Sequence, residues 1–261
     1  YEWINPISAG SGKRYVWTSC NGLSTDRSGS ITVPSGGGSI SASYKTQYYL
    51  TVTSAHDSQS PTSGWFDSGT TITASVNSPV SGGSGIRYVC TGYVGSGSVP
   101  ASGSETSVTF TIDQPSSITW NWKTQYYLTT QTSPTEGGSV NPSSGWYDEG
   151  SSITISASPA EGYRFDNWAG SGSGSYTGSS NPASITMNGP ITETAAFVKT
   201  GDVVFSASGL GVDAFGTVLT VDGSNYGYGS LPVSFWWDVG SSHSFEWKSP
   251  VSAGSSKRYV W

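Results

Sequence analysis

The feature that most constrains this chain is a long duplication. The segment YEWINPISAGSGKRYVW at residues 1–17 returns at residues 245–261 as FEWKSPVSAGSSKRYVW, an offset of 244 residues. Self-similarity at a fixed offset is the signature of repeated structural units. We therefore expect the chain to hold one full period plus an overlap, with the duplicated segment lying inside a module.

A second, shorter repeat lies within the first. SYKTQYYLTVTS begins at residue 43 and recurs as NWKTQYYLTTQTS from residue 121, with Lys45 and Lys123 in register 78 residues apart. These repeats predict modules at residues 47–124 and 125–200. A third module is expected to begin in residues 201–261. Residues 1–46 are interpreted as the C-terminal half of such a module, whose first half corresponds to residues 201–244.

The local pattern of the chain is typical of strands. Segments such as VTFTI, TITASV and SSITISA alternate apolar with polar residues and are rich in β-branched side chains, and no segment has a helical period. The predicted fold is all-β, with tandem small antiparallel β-sandwich modules that are Ig-like or β-grasp-like. Only Lys-Thr-Gln separates the last strand of one module from the first of the next. Without a flexible linker, we expect an end-to-end rod.

Composition excludes several classes of function. The net charge is -6 and the pI is about 4.7, so a basic surface for nucleic acid is not expected. No apolar stretch is long enough for a membrane-spanning helix. Abundant Ser, Thr and Gly with few Lys favour an extracellular location at the cell surface or cell envelope. Cys20 and Cys90 are too few for a disulfide framework and are interpreted as buried thiols, with a disulfide left open.

Two residue types recur at one position in every repeat. An aromatic residue is predicted to pack in each module core, with sugar stacking as the alternative. An Asp two residues later is predicted to close a turn before a Gly, with calcium binding as the alternative. The tryptophans are Trp65, Trp146 and Trp236, and the aspartates are Asp67, Asp148 and Asp238.

The remaining candidates for chemistry are few. His56 and His243 are the only histidines, and neither belongs to a nucleophile motif. Glu149 and Glu161 have no equivalents in the other repeats. Lys45 and Lys123 suggest intramolecular isopeptide bonds as a minor alternative. We therefore predict no catalytic, cofactor-binding or metal residues, no cofactor, and no enzyme activity.

One part of the chain resembles a known family. GGSVNPSSGWYDEGSSITISASPAEGYRFDNWAG at residues 137–170, followed by NPASITMNGPITETAAF, resembles the divergent internalin-type B-repeat modules of bacterial and archaeal surface proteins. The remaining segments resemble repeats of large archaeal cell-surface proteins. Both resemblances imply β-rich extracellular modules without an active site.

These observations predict a structural repeat unit of an extracellular cell-surface protein that forms a sheath, surface layer or filament. Its β modules would assemble with copies of itself, because open strand edges invite pairing with another chain. Cell-wall or glycan components are further candidate partners. The alternatives are an adhesin stalk and a carbohydrate-binding repeat array.

Overall fold

A computed structural model describes residues 1–260, so that Trp261, the last residue of the duplicated segment, lies outside the described residues. Strands account for 56% of the chain, and no α-helix forms within residues 1–260. Two single 3₁₀ turns, Thr135–Gly137 and Tyr228–Ser230, are the helical elements there. The prediction of an all-β fold is confirmed.

The strands are short, except for three long ones. Up to residue 133 they are β1 Ile7–Ser8, β2 Lys13–Gly22, β3 Ile40–Thr53, β4 Gly64–Asp67, β5 Thr70–Ser75, β6 Val80–Gly83, β7 Ile86–Ser96, β8 Ser102–Gly103, β9 Ser107–Ile112 and β10 Ser116–Ser133. The next are β11 Gly138–Asn141, β12 Gly145–Asp148, β13 Ser152–Pro159, β14 Tyr163–Ser171, β15 Ala183–Thr186 and β16 Ile191–Phe205. The last are β17 Leu219–Val221, β18 Ser224–Tyr226, β19 Val233–Asp238, β20 Phe245–Trp247, β21 Val251–Ser252 and β22 Arg258–Tyr259.

The chain divides into two compact units. The first contains Tyr1–Tyr127 together with Trp146–Ser151 and Asn188–Pro190. The second contains Leu128–Gly145, Ser152–Met187 and the residues from Ile191 onward. The strand β10 therefore contributes its first residues to one unit and its last residues to the other.

In the first unit, one sheet contains β2, β3, β4, β7 and the first part of β10, and a second sheet pairs β5 with β9. Apolar side chains from both sheets form one core, in which Leu50, Ile72, Phe110 and Ile118 are buried around Trp120. Period-2 alternation explains this arrangement, since it directs every second side chain of a strand toward the same layer.

In the second unit, β14 and the last part of β10 flank β16, while β11, β13 and β15 form a separate three-stranded sheet. Its core side chains Leu128, Ile155, Trp168 and Ile185 are almost completely buried. Further along the chain, β19 pairs with the end of β16, and β17 pairs with β18 and β20. Leu219 is fully buried in this last group.

The prediction of purely antiparallel sheets was wrong. β3 pairs in parallel with β10 from Leu50↔Ser116, and β10 pairs in parallel with β16 from Leu128↔Ile191. Parallel neighbours require a crossover connection of a dozen or more residues, which the intervening strands supply here. The first and last strands of each internal repeat therefore lie side by side and run in the same direction.

Candidate functional site

A cluster of polar and aromatic side chains lies on β2, β3 and β4 of the first unit. The Asp67 carboxylate accepts hydrogen bonds from Lys45 Nζ at 2.9 Å and from Gln47 Nε2 at 2.7 Å. The Gln47 side-chain oxygen Oε1 accepts a hydrogen bond from Arg14 Nε at 2.8 Å. The Arg14 guanidinium also lies over the Trp65 ring, 4.3 Å from its centre. We call these five residues the first junction cluster.

A second junction cluster repeats this arrangement on β7, β10 and β12. Asp148 accepts hydrogen bonds from Lys123 Nζ at 3.0 Å and from Gln125 Nε2 at 2.6 Å. Arg87 Nε donates to Gln125 Oε1 at 2.8 Å, and the Arg87 guanidinium lies 4.5 Å from the centre of the Trp146 ring. The two clusters therefore match contact for contact, over residues separated by 73 to 81 positions.

Strand register brings the members of each cluster together. Gln47 on β3 is the direct cross-strand neighbour of Arg14 on one side and of Asp67 on the other. Side chains two residues apart point to the same face of a strand, so Lys45 joins Gln47, and Trp65 joins Asp67. The residue between them, Phe66, packs against the core instead.

Each tryptophan also packs edge-to-face against a tyrosine of the YYL motif. Tyr49 and Trp65 have ring centres 5.2 Å apart, and Tyr127 and Trp146 have theirs 5.1 Å apart. Perpendicular aromatic pairs at such distances are favourable because the edge of one ring meets the face of the other. The arginine and the tyrosine together fix the indole ring on the outer face of the sheet.

Both aspartates of these clusters remain ionised. The hydrogen bond from Lys45, and then that from Gln47, lowers the pKa of Asp67 below its usual value. For Asp148, the bond from Gln125 and then that from Lys123 lowers the pKa. The Lys45 and Asp67 side chains are each 45% exposed. A solvated pair of full charges favours an ion pair over an isopeptide bond, because amide formation requires a neutral amine.

The third repeat differs at this place. In the second unit, Arg164 binds Asp238 with two hydrogen bonds of 2.6 Å each and reaches Asp166 at 2.8 Å. Strand register places Val198 opposite Arg164 and Thr200 opposite Asp238, whereas in the first cluster Gln47 is opposite both the arginine and the aspartate. Without an intervening amide, the guanidinium binds the aspartate directly in a bidentate fork.

The prediction that Trp65, Trp146 and Trp236 pack in module cores was wrong. Trp65 and Trp146 are half-buried on the outer face, and Trp236 is 63% exposed. The buried indoles belong to Trp120 and Trp168 instead. In the first two repeats the recurring tryptophan contacts an arginine, and a repeated aromatic residue is not by itself evidence of burial.

The prediction for the recurring aspartates was also wrong in its mechanism. The carboxylates of Asp67, Asp148 and Asp238 bind side chains across the sheet rather than closing turns. The turns are closed by backbone bonds, as where Ser151 N–H donates to the Asp148 carbonyl at 3.1 Å. The glycines do have the positive φ that such turns require, with 83° at Gly69 and 76° at Gly150.

The histidines form ring stacks. His56 lies on Tyr88 with ring centres 3.6 Å apart, and His243 lies on Trp237 at 3.9 Å. His243 Nδ1 is 2.7 Å from Asp222, and its Nε2 is 2.8 Å from Ser241 Oγ.

This Ser–His–Asp chain, which the sequence interpretation missed, differs from a nucleophile site. The Ser241 hydroxyl can donate its one proton to the Asp238 carbonyl oxygen at 2.7 Å, and this bond competes with donation to His243 Nε2. A hydroxyl oriented in this way is not poised to lose its proton to the imidazole. The three side chains brace two adjacent turns.

A buried glutamate in the second unit was also missed. Glu193 is fully buried on β16, and its Oε1 accepts the Tyr176 N–H at 2.7 Å. Its Oε2 has no hydrogen-bond partner within residues 1–260. Burial raises the pKa of this carboxyl group. The alternation of Ile191, Glu193, Ala195 and Phe197 on one strand face was the available signal.

Cys20 and Cys90 are buried free thiols, as predicted. Trp17 Nε1 donates to Cys20 Sγ at 3.3 Å. Across residues 1–260, three or more His, Cys, Asp or Glu side chains nowhere gather in a group that could hold a metal ion. That part of the chain also contains no helix that is long and apolar enough to cross a membrane.

Comparison with known proteins gives one match. Residues 128–201 match the family model of the divergent InlB B-repeat domain. No curated protein and no solved structure matches the chain. The matched family is a surface-protein repeat rather than an enzyme family, which agrees with an extracellular or cell-surface location. The resemblance to the internalin-type B-repeat is therefore confirmed over residues 128–201.

Proposed function

We propose that the chain is a structural repeat unit of an extracellular cell-surface protein, one that builds a sheath, surface layer or filament by self-assembly. The observation that carries this proposal is the pair of matching junction clusters. Each lies where one unbroken strand continues from one internal repeat into the next, and those strands, β3 and β10, are 14 and 18 residues long.

The chemistry of the clusters supports a structural role. Lys45 and Gln47 both donate to Asp67, and Arg14 donates to Gln47, so the polar groups satisfy one another. A catalytic or ligand-binding site would keep donors or acceptors free for its substrate. Because these side chains hydrogen-bond to one another, they instead hold the three neighbouring strands β2, β3 and β4 in register.

We further propose the module boundaries expected from the repeats, at residues 47–124 and 125–200, with the third module divided between residues 201–261 and residues 1–46. In this proposal the modules follow one another end to end as a rod. Support comes from the continuity of β3 and β10, since a strand that keeps its hydrogen bonds through a junction leaves no flexible linker.

Electron microscopy of a purified protein with two 244-residue periods tests the assembly. Ordered filaments or sheets are expected. The matched control is a variant with Asp67→Ala and Asp148→Ala in each period, which should form more irregular assemblies because both junction clusters are lost. Persistently monomeric particles would contradict self-assembly and favour the adhesin stalk.

A carbohydrate-binding array is a second candidate, favoured by one observation. The Trp236 ring is 63% exposed, and indole faces can stack on sugar rings. A glycan array with the wild-type protein and with Trp236→Ala tests this function. Specific binding that the substitution abolishes would support it, and an absence of binding would contradict it.

A further inference from the structure

Exposed apolar side chains are concentrated in two parts of the chain. Large apolar residues with exposed side chains fall within residues 1–33 and residues 203–260, with Val94 as the exception among those described. The intervening repeats bury theirs. A concentration of exposed apolar side chains can mark an interaction site.

The duplicated hairpin shows what one of these surfaces can bind. β1 pairs with β2 through Ile7↔Tyr15, and β21 pairs with β22 through Val251↔Tyr259, which is the same register 244 residues later. Val251 is only 5% exposed, whereas its equivalent Ile7 is 37% exposed. The apolar residue of the first hairpin strand is therefore buried where the segment beginning at residue 201 is present beside it, although Lys257 and Arg258 of that copy are exposed.

Polar contacts also distinguish the second copy of the hairpin from the first. The Tyr259 hydroxyl donates to Asp213 at 2.6 Å and accepts the Gly211 N–H at 3.0 Å. Lys257 Nζ donates to the same Asp213 at 2.7 Å and to the Tyr259 hydroxyl at 2.8 Å, and these two bonds, the one to Asp213 foremost, raise the pKa of Lys257 to about 12. The equivalents of these two residues in the first copy are Tyr15 and Lys13.

Two strand segments also have an open edge. The residues Gly201–Phe205 of β16 pair with β19 on one side. The residues Ile40–Lys45 of β3 pair with β2 on one side. Within residues 1–260 neither segment has a strand on its other side. Unpaired backbone N–H and C=O groups on an edge favour the addition of a further strand.

The intact repeats give the register that would join these edges. In the first unit Leu50 pairs in parallel with Ser116. Leu50 directly follows Tyr49, and Ser116 lies nine residues before Gln125. Trp236 pairs with Asp202 just as its equivalent Trp65 pairs with Tyr49. Asp202 therefore corresponds to Tyr49, and the next residue, Val203, corresponds to Leu50. Nine residues before Gln47 is Gly38, and GSIS at residues 38–41 matches SSIT at residues 116–119.

A cleft in the second unit begins at Ser206, the residue that follows the open-edged end of β16. It has a volume of about 330 Å³, and apolar groups of Val218, Trp247 and Val251 line it beside Ser206–Leu210. By the same register, Ile40 corresponds to Ile118, which is fully buried in the core of the first unit. Ile40 itself is only half-buried.

We propose that Val203–Ser206 of one copy pairs in parallel with Gly38–Ser41 of a second copy of this chain, so that two exposed half-modules complete one module. This inference rests on the proposed self-assembly and specifies its geometry. The added strand places Ile40 over the cleft, and the antiparallel partner of that strand, β2 of the second copy, follows it. The contact is head-to-tail, so it repeats from copy to copy.

Disulfide trapping between two differently substituted full-length chains tests this register. Ser206 and Ser41 are exposed and are proposed to be direct partners, within the Cα separation that a disulfide spans. Chains carrying Ser206→Cys and Ser41→Cys are mixed with oxidised glutathione, which accepts the two electrons and two protons released. A control mixture replaces Ser41→Cys by Ser43→Cys, on the same strand face about 6.6 Å further along.

Non-reducing electrophoresis should show at least ten times more cross-linked dimer for the mixture of Ser206→Cys with Ser41→Cys than for the control mixture of Ser206→Cys with Ser43→Cys. Each variant alone measures the background, and circular dichroism confirms that each is folded. Equal yields from both mixtures, or no cross-link, would overturn the proposed register.

Light scattering on the wild-type chain separates this inference from the proposed function. Association without a register-specific cross-link would overturn the inference and leave self-assembly in place. A monomer at every concentration, again without a cross-link, would count against both.

Discussion

The Arg87 guanidinium lies 4.5 Å from the centre of the Trp146 ring while its Nε donates to Gln125. Lysine carries the same charge but has neither the planar group that stacks on the indole nor the Nε donor. We expect Arg87→Lys to lower the free energy of unfolding by about 0.5–1 kcal/mol. Urea denaturation measures this loss. Arg258→Lys, at an exposed site, is the matched control and should change stability little.

The aspartates of the two junction clusters predict a dependence of stability on pH. Their pKa values are lowered in the folded protein, so between the folded and unfolded values the unfolded state binds more protons. The contribution of Asp67 and Asp148 to the free energy of unfolding is therefore present above about pH 4, and it is lost as the pH falls through their lower pKa values in the folded state.

Denaturation of the wild type and of an Asp67→Asn, Asp148→Asn double variant between pH 7 and pH 2 measures this contribution. We expect a difference of at most about 1 kcal/mol per pair at pH 7, since the ion pairs are solvent-exposed, and a difference near zero at pH 2. Asp26→Asn, at an exposed residue, is the control. An undiminished difference at pH 2 would show that the carboxylate charge is not responsible.

Glu193 predicts the opposite dependence on pH. Burial raises its pKa, so the folded state holds the proton more tightly than the unfolded state does. Stability should therefore fall as the pH rises above the ordinary glutamate value of about 4.3. Glu193→Gln keeps an oxygen for the Tyr176 N–H and removes the charge. We expect it to stabilise the protein by on the order of 1 kcal/mol at pH 7.

Thermal unfolding of Glu193→Gln and wild type at pH 4 and pH 7 provides the measurement. The advantage of the variant should be small at pH 4, because the wild-type carboxyl group is then protonated. An advantage of equal size at both pH values would contradict this account and indicate a packing effect.

The tryptophans should differ sharply in their effect on stability. Trp168 is fully buried, so Trp168→Ala should cost about 3–5 kcal/mol. Trp236→Ala should cost less than about 0.5 kcal/mol, because most of its ring is exposed. Guanidinium denaturation of both variants compares the two costs. Similar losses would mean that the outer indole supports the fold as strongly as the core one does.

The charged state of the lysine–aspartate pairs predicts an unmodified chain. Lys45 lies 2.9 Å from Asp67, but the carboxyl group is ionised and both side chains are 45% exposed. Condensation to an amide releases one water, and we expect none to be lost. Intact mass spectrometry should therefore give the mass calculated from the sequence. A mass lower by about 18 Da would reveal an isopeptide bond, which Lys45→Ala should abolish.

The sequence predicted the strands well, because alternation is a local signal. It did not reveal that Trp65 lies beneath Arg14, since that contact depends on strands distant in the chain. The aspartates were assigned to turns because the following glycine is local and visible, whereas the partner Lys45 lies on another strand. The parallel pairing of β10 with β16 was likewise missed, because alternation has the same period in both directions.

The parallel pairing of the first and last strands of the segment that matches the B-repeat family has a consequence for mechanical load. Six residue pairs, from Leu128↔Ile191 to Ser133↔Ala196, join the two strands. Tension applied to the incoming end of one strand and the outgoing end of the other pulls them past each other in shear. All the hydrogen bonds of this ladder then resist together, rather than opening one at a time as a zipper would.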